Sequence, residues 1–261
     1  MQRSAIDVQA LRAELGSRWT QIEVVDETES TNTELLHWPD AADRTVLVAE
    51  YQRAGRGRLD RTWTSPPRAG LTFSAMLRPS APMATWGWLP LLAGVALHEA
   101  VVAVTGVAAS LKWPNDLLCG RSERKLAGIL AQTSGDAVVI GVGLNVSTTA
   151  DELPVETATS LAQCGATSLD RTRLLVAALS RLDARAAQWS DVGGDAEACG
   201  LGAAYRSACS TIGREVAVTT TAGARLLGRA VAVDADGHLQ LAVDGAVSAV
   251  AAGDVEHLRA R

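Results

Sequence analysis

"LKWPNDLLCGRSERKLAGILAQ", residues 111–132, holds two apolar runs on either side of the polar stretch "CGRSER" (119–124). Runs this short around a polar, glycine-containing connection form a β-hairpin, so at least part of the sheet is expected to be antiparallel. Pro114 cannot donate to a ladder and should end regular pairing after Trp113, leaving Asn115 and Asp116 facing a loop. Working outward, "TVLVAE" (45–50), "LTFSAMLR" (71–78) and "AVVIGVGLNV" (137–146) read as further strands. Trp88–Val104 is apolar enough to suggest a membrane span, but Pro90, His98 and Glu99 interrupt it. Charges are costly in lipid, so a buried helix is the expectation and no membrane partner is implied.

Two amphipathic helices are expected in addition. Val8, Leu11 and Leu15 form a short surface helix that stops at Gly16, and Asp7, Arg12 and Glu14 break any signal-peptide core. Leu175, Leu179, Leu182, Ala186 and Trp189 share one face of a helix over about 170–190, capped by Asp170. The glycine-rich "DVGGDAEACGLG" (191–202) then interrupts the pattern. From Gly213 onward the chain changes to short alternating strands, "REVAVTT", "RLLGRAVAVD", "HLQLAV" and "AVSAVAA", separated by the turn signals "TAG", "ADG" and "DG". The organisation expected is a main domain over 1–210 and a small antiparallel barrel over 211–261.

Bulk composition restricts the functional classes. The 261-residue chain is 48% hydrophobic and carries a net charge of −5, the profile of a globular protein without a generally basic, nucleic-acid-binding surface. Cys119, Cys164, Cys199 and Cys209 have neither zinc-ligand nor disulfide-scaffold spacing and are read as reduced thiols. Positive charge is local instead. "YQRAGRGRLDRTW" (51–63) places Arg53, Arg56, Arg58 and Arg61 around Gly55 and Gly57, planar donor forks on a flexible backbone suited to an anion. Neither a Walker A nor a dinucleotide fingerprint is complete there. With hardly an apolar side chain beyond Leu59, the empty loop is expected to be mobile.

Four shorter motifs carry chemistry. In "STN" (30–32), Thr31 and Glu34 have capping-box spacing, and a helix start also offers unpaired amides to a small polar ligand. In "KWPND", Asn115 and Asp116 are either a plain turn or oxygen donors for Mg²⁺, which favours few carboxylates plus substrate phosphates. "KLAGIL" and "GVGLNV" each carry one polar residue among apolar ones, Lys125 and Asn145; Lys125 is a solvated strand end or a point charge for a carboxylate or phosphate.

Taken in order, "STN", "QRAGRGR", "KWPND", "KLAGIL" and "GVGLN" resemble the signature of biotin protein ligases, the biotin–acetyl-CoA-carboxylase ligases, over residues 30–145. The resemblance implies an α+β fold: a class II aminoacyl-tRNA synthetase-like catalytic domain with a mainly antiparallel sheet, and an SH3-like C-terminal domain. It implies that biotin and Mg-ATP form biotinyl-5′-AMP, which a lysine of a biotin carboxyl carrier protein then attacks. On this carry-over Ser30, Thr31, Asn32, Gln52, Arg56, Gly57, Arg58 and Lys125 surround biotin. Arg61, Trp63, Asn115, Asp116, Gly128 and Asn145 flank ATP, with Asp116 as the metal ligand and candidate proton acceptor. Lys125, Arg58 and Asp116 are the catalytic set, and a cytoplasmic location follows. The family loop commonly reads G-R-G-R-x-G-R, whereas Asp60 stands here at the last glycine's place.

Two alternatives stand beside this reading. Lipoate or octanoate ligation uses a related fold and a similar lysine, but the paired "GRGR" and "KWPND" favour biotin. A bifunctional ligase-repressor would need a winged helix ahead of "STN", and 29 residues precede Ser30; no DNA partner is therefore expected.

Overall fold

The computed structural model describes residues 3–59, 61–120 and 123–258. Asp60 lies outside the described residues, as do Arg121 and Ser122 of the hairpin connection.

A seven-stranded sheet forms the larger layer. Its strands are β1 (Gln21–Val25), β2 (Thr45–Ala49), β5 (Gly70–Leu77), β6 (Ala109–Lys112), β7 (Asp116–Cys119), β8 (Arg124–Ser134) and β9 (Ala137–Asn145), ordered β1-β2-β5-β9-β8-β7-β6. Only β1 and β2 run parallel; every other neighbour is antiparallel, as the 111–132 stretch predicted. A separate two-stranded ribbon pairs β3 (Gly55–Arg56) with β4 (Thr62–Trp63).

The "LKWPNDLL" run is not one strand. Its first residues belong to β6, Trp113–Pro114 is a cis peptide in a tight turn, and Asp116 opens β7 opposite Lys112. Asp116 is thus a ladder residue rather than a loop residue. The reason is that the turn reverses the chain before Asn115, so both halves of the motif pair with each other.

Helices cover both faces: α1 (Val8–Leu15), α3 (Leu89–Thr105), α4 (Arg171–Asp191) and α5 (Leu201–Ala208) share the main core on one, and α2 (Thr31–Leu36) lies on the other, where Leu35 clusters with Met76, Ala137 and Val139. The membrane-length apolar segment is core helix α3, whose buried residues include Leu92, Val95, Ala96 and Val101. Asp7 caps α1 and Asp170 caps α4 through their carboxylates. In α2 the cap is Ser30, which accepts from the Thr33 N–H. Glu34 is instead turned to the Thr28 hydroxyl, so the Thr31–Glu34 box does not form.

Beneath α4 lies an ion pair that no sequence pattern announced. Arg171 and Glu50 meet at 2.7 Å with side chains only 6% and 5% exposed, and Glu50 also accepts the Ile6 N–H at 2.7 Å. Hydrogen bonds help to offset the burial: Glu50 Oε1 takes the Ile6 N–H and Arg171 donates to the carbonyls of Ser4 and Gly70, while Glu50 Oε2 has the Arg171 charge alone.

The second sheet has five antiparallel strands, β10 (Glu215–Thr220), β11 (Arg225–Val233), β12 (Leu239–Val243), β13 (Ala246–Val250) and β14 (Gly253–His257), ordered β13-β12-β11-β10-β14. This is the SH3-like unit, one strand richer than the four clearest runs. It docks on the first layer through two indoles: Trp88 Nε1 donates to Ala235 O at 2.6 Å and Trp113 Nε1 to Gly237 O at 3.0 Å, both acceptors in the β11–β12 turn.

The reading of four reduced thiols is corrected for two of them. Cys119 and Cys164 are disulfide-bonded, their Cα atoms 6.6 Å apart and 45 residues distant in sequence, while Cys199 and Cys209 are free. Sequence spacing could not reveal it, because the fold alone lays the segment after β9 against the end of β7.

Candidate active site

Alternation along β9 builds the floor of the site. Gly141, Gly143 and Asn145 are spaced by two and therefore share a face. A Cβ on Gly141 would lie 2.0 Å from Asn32 Oδ1, and one on Gly143 would lie 2.4 Å from Trp63 Cε2. Glycine at these places lets a side chain lie directly on the sheet. Gly128, opposite Gly143 in β8, extends the cleared strip; a Cβ there would press on Lys125 at 3.2 Å.

At one end of the strip the start of α2 is tied into a buried polar cluster. Asn32 donates to Leu130 O at 3.1 Å and Gln132 Oε1 at 2.9 Å, and Ser74 donates to Asn32 Oδ1 at 2.6 Å. Gln52 Oε1 accepts both the Thr31 N–H at 2.8 Å and its hydroxyl at 3.1 Å. Ser30, Thr31 and Asn32 are all buried. Ser74, Gln132 and Gly141 were not singled out in the sequence; two glycines alternating inside an apolar strand are the signal that could have found Gly141.

At the other end sit the charges. Lys125 Nζ is 2.6 Å from Asp116 Oδ1, and Arg58 donates to Asn115 Oδ1 at 3.0 Å while Asn115 donates to Ile129 O at 2.9 Å. Arg61 reaches across to the second sheet and pairs with Asp254 at 2.5 Å. Burial alone would raise the Asp254 carboxyl, but the bond and charge of Arg61, helped by Lys112 and Arg58, hold it below its usual value. Arg53 pairs with Glu27 at 2.8 Å and Glu29 at 2.7 Å. The loop, expected to be mobile for want of apolar side chains, has acidic partners from two other segments, and β3–β4 pairing joins the two sides of its stem.

Asn145 plays a supporting part. Its amide donates to Thr159 O at 3.0 Å, and Lys125 bonds the same segment through Thr157 O and the Thr159 N–H.

A cavity of about 940 Å³ opens beside the strip, walled by Arg56, Gly57, Arg58, Arg61 and Asn115 and, from the second sheet, by Thr221, Gly237 and Ala252. Gln52 and Trp63 border a separate small cavity, while Ser30, Thr31, Asn32, Asp116, Lys125, Gly128 and Asn145 line neither. The Trp63 indole lies over the glycine strip between the two groups, its Nε1 buried without a hydrogen-bond partner. As for a divalent cation, one carboxylate and one amide oxygen, Asp116 and Asn115, form a hard-oxygen set that fits Mg²⁺ sharing its remaining positions with phosphates.

Comparison with known proteins gives a consistent picture. Residues 21–145 match the biotin/lipoate A/B protein ligase family and residues 211–258 the biotin protein ligase C-terminal domain. The chain is 41% identical to a biotin–acetyl-CoA-carboxylase ligase of Mycobacterium tuberculosis, over 98% of this chain and 97% of that one. It is 30% identical to the bifunctional ligase/repressor BirA of Bacillus spizizenii, over 93% of this chain and 74% of the relative. Among solved structures, a biotin protein ligase from Aquifex aeolicus in complex with biotin and ATP superposes with a TM-score of 0.79 at 27% identity, over 93% of this chain and all of that one.

Proposed function

The chain belongs to the biotin protein ligase family, and from that premise we propose how its glycine strip and cavity bind biotin and ATP and join them. It is an ATP-dependent ligase that activates biotin as biotinyl-5′-AMP and transfers the biotinyl group to a carrier lysine. The observation that carries this reading is the convergence of five separated motifs on one sheet face, a buried neutral polar cluster at one end and a lysine, two arginines and one carboxylate at the other.

Each group has a part in the chemistry. Ser30, Thr31, Asn32 and Gln52, gathered at the buried end of the strip, are the polar groups offered to the ureido ring, whose donors and acceptors they match. Arg56, Gly57, Arg58 and Lys125 hold the carboxylate, and Arg61, Trp63, Asn115, Asp116, Gly128 and Asn145 flank the nucleotide. In the first step a biotin carboxylate oxygen attacks the α-phosphorus of ATP, the bond to the β-phosphate oxygen breaks, and pyrophosphate leaves. That displacement needs two anions held in line and developing charge met by fixed cations. Asp116 and Asn115 would hold Mg²⁺, which when bound neutralises phosphate charge.

In the second step the carrier lysine nitrogen attacks the acyl carbon, the amide forms and AMP departs. An unperturbed lysine has a pKa of about 10.4, so a proton must be removed, and Asp116 is the acceptor beside Lys125. The acceptor protein is the biotin carboxyl carrier of an acyl-CoA carboxylase, and the cytoplasm is the compartment. The division between the catalytic and C-terminal domains falls at 210/211.

The test is biotin-dependent ATP–pyrophosphate exchange followed by mass spectrometry of a carrier domain. One biotinyl addition is expected, with lipoate inactive in its place. Absence of any ATP-dependent mass gain, or equal exchange with lipoate, would overturn the biotin reading.

A further inference from the structure

The "KWPND" turn is held from behind by residues of the second sheet. Trp113 N–H donates to Thr211 Oγ1 at 3.1 Å, and Thr211 Oγ1 is 3.0 Å from Nε2 of His257 in β14. Thr211 is completely buried, so its hydroxyl has no water to exchange these partners for. On the far side His257 Nδ1 lies 3.9 Å from Glu123, and Glu123 is gripped by both terminal nitrogens of Arg214. Ser210 adds two bonds to Leu111 O, so the segment entering the second sheet is stitched along the end of β6.

Protonation fixes the direction of the chain of bonds. Burial, with Lys112 and Arg214 nearby and only Glu123 opposing, pushes His257 down to about 4. The ring is therefore neutral at pH 7. With its proton on Nδ1, facing Glu123, Nε2 is an acceptor: Trp113 N–H donates to Thr211, and Thr211 donates to His257. Both capacities of one buried hydroxyl are used, which fixes the Trp113 backbone at the cis peptide. Two and three residues further on are Asn115, bonded to Arg58, and Asp116, paired with Lys125.

We propose that Thr211 and His257 are positioning residues for adenylation, a relay from the C-terminal sheet that fixes the Trp113–Asp116 turn and so the nucleotide end of the site, leaving the biotin end untouched. The inference rests on the ligase reading above. It also gives the C-terminal region a task beyond walling the cavity: it holds Asn115 and Asp116 in place through Trp113, whose partner Thr211 is 98 residues away in sequence.

The experiment is steady-state exchange kinetics on Thr211→Val, Thr211→Ser and His257→Phe. Valine keeps the shape of threonine and removes the hydroxyl, so KM for ATP should rise about tenfold, the effect of stranding one buried donor, while KM for biotin stays within about twofold. Serine should restore the wild-type value, and phenylalanine, which fills the ring's place without an acceptor, should reproduce the valine result. A folded Thr211→Val enzyme with unchanged KM for ATP, or with both KM values raised together, would overturn the relay. Should that variant fail to fold, the same two criteria apply to His257→Phe. A wild type without biotin-dependent exchange overturns the ligase reading and the relay with it, whereas normal wild-type exchange with an unaffected folded variant overturns the relay alone.

Discussion

Gly141→Ala tests the glycine strip most directly. The added Cβ would stand 2.0 Å from Asn32 Oδ1 and 2.8 Å from its Cγ, where real Cβ atoms come no closer than 3.0 Å, so Asn32 must retreat by about 1 Å or more. It has nowhere to go without breaking its bonds to Leu130 O, Gln132 and Ser74, all inside a buried cluster. A stranded buried partner costs about 1–3 kcal/mol, and Ser74 keeps Thr31 as a second partner, so a loss of about 3 kcal/mol is expected, roughly a hundredfold in Kd for biotin. Calorimetric titration with biotin measures it directly, with the melting temperature followed in parallel. A double-mutant cycle isolates the cause: in an Asn32→Ala background the clash has no target, and Gly141→Ala should add less than about 0.5 kcal/mol. If the folded Gly141→Ala protein binds biotin within about threefold of wild type, or if the two substitutions are additive, the account of the strip is wrong.

Other expected outcomes follow from the charged end and from the domain contact. Lys125→Ala leaves Asp116 facing the site without its 2.6 Å partner and should slow exchange by the equivalent of about 2–5 kcal/mol with the melting temperature little changed; near wild-type exchange would remove Lys125 from the site. Arg58→Gly cuts the bond to Asn115 and should release biotinyl-AMP faster, scored as biotin on lysines of a bystander protein; unchanged bystander labelling refutes it. His257 binds its proton less readily folded than unfolded, so the unfolded chain takes up more protons between about pH 6.5 and 4. Its contribution to stability is therefore intact above that window and is lost as the pH falls through it. The melting temperature of wild type should drop more steeply across this range than that of His257→Phe, and parallel slopes would contradict the assignment.

Much of the fold was legible where side-chain period and turn chemistry agree. The antiparallel sheet, the apolar α3, the Asp170 cap and the hairpins closed by "ADG" and "DG" are all local signals. Misreadings arose where two elements share a few residues. The proline turn between the four-residue strands β6 and β7 makes Asp116 read as a loop residue although it already opens a strand, and the α2 cap shifts from Thr31 to Ser30 because both neighbours have hydroxyls. Pairings across long sequence distances left no trace: nothing around Arg171 at the start of α4 announces Glu50, on which it is buried. The same is true of Cys119 with Cys164 and of Arg61 with Asp254, contacts that only the finished topology creates.

The stitching of the "KWPND" turn to the C-terminal sheet sets a timetable for biosynthesis. Trp113 waits for Thr211 and Gly237, residues 98 and 124 positions downstream, and Arg61 waits for Asp254, 193 positions on. At translation rates of about 5–20 residues per second, Asp116 is made roughly 7–28 seconds before Asp254. Through that interval the nascent hairpin, already able to pair with itself, lacks the partners that fix its turn. A nascent chain that has not yet supplied β14 is thus a sheet whose Trp113–Asp116 turn is still unbraced. Strand β14 completes it, so the site takes its final form only after His257 has emerged.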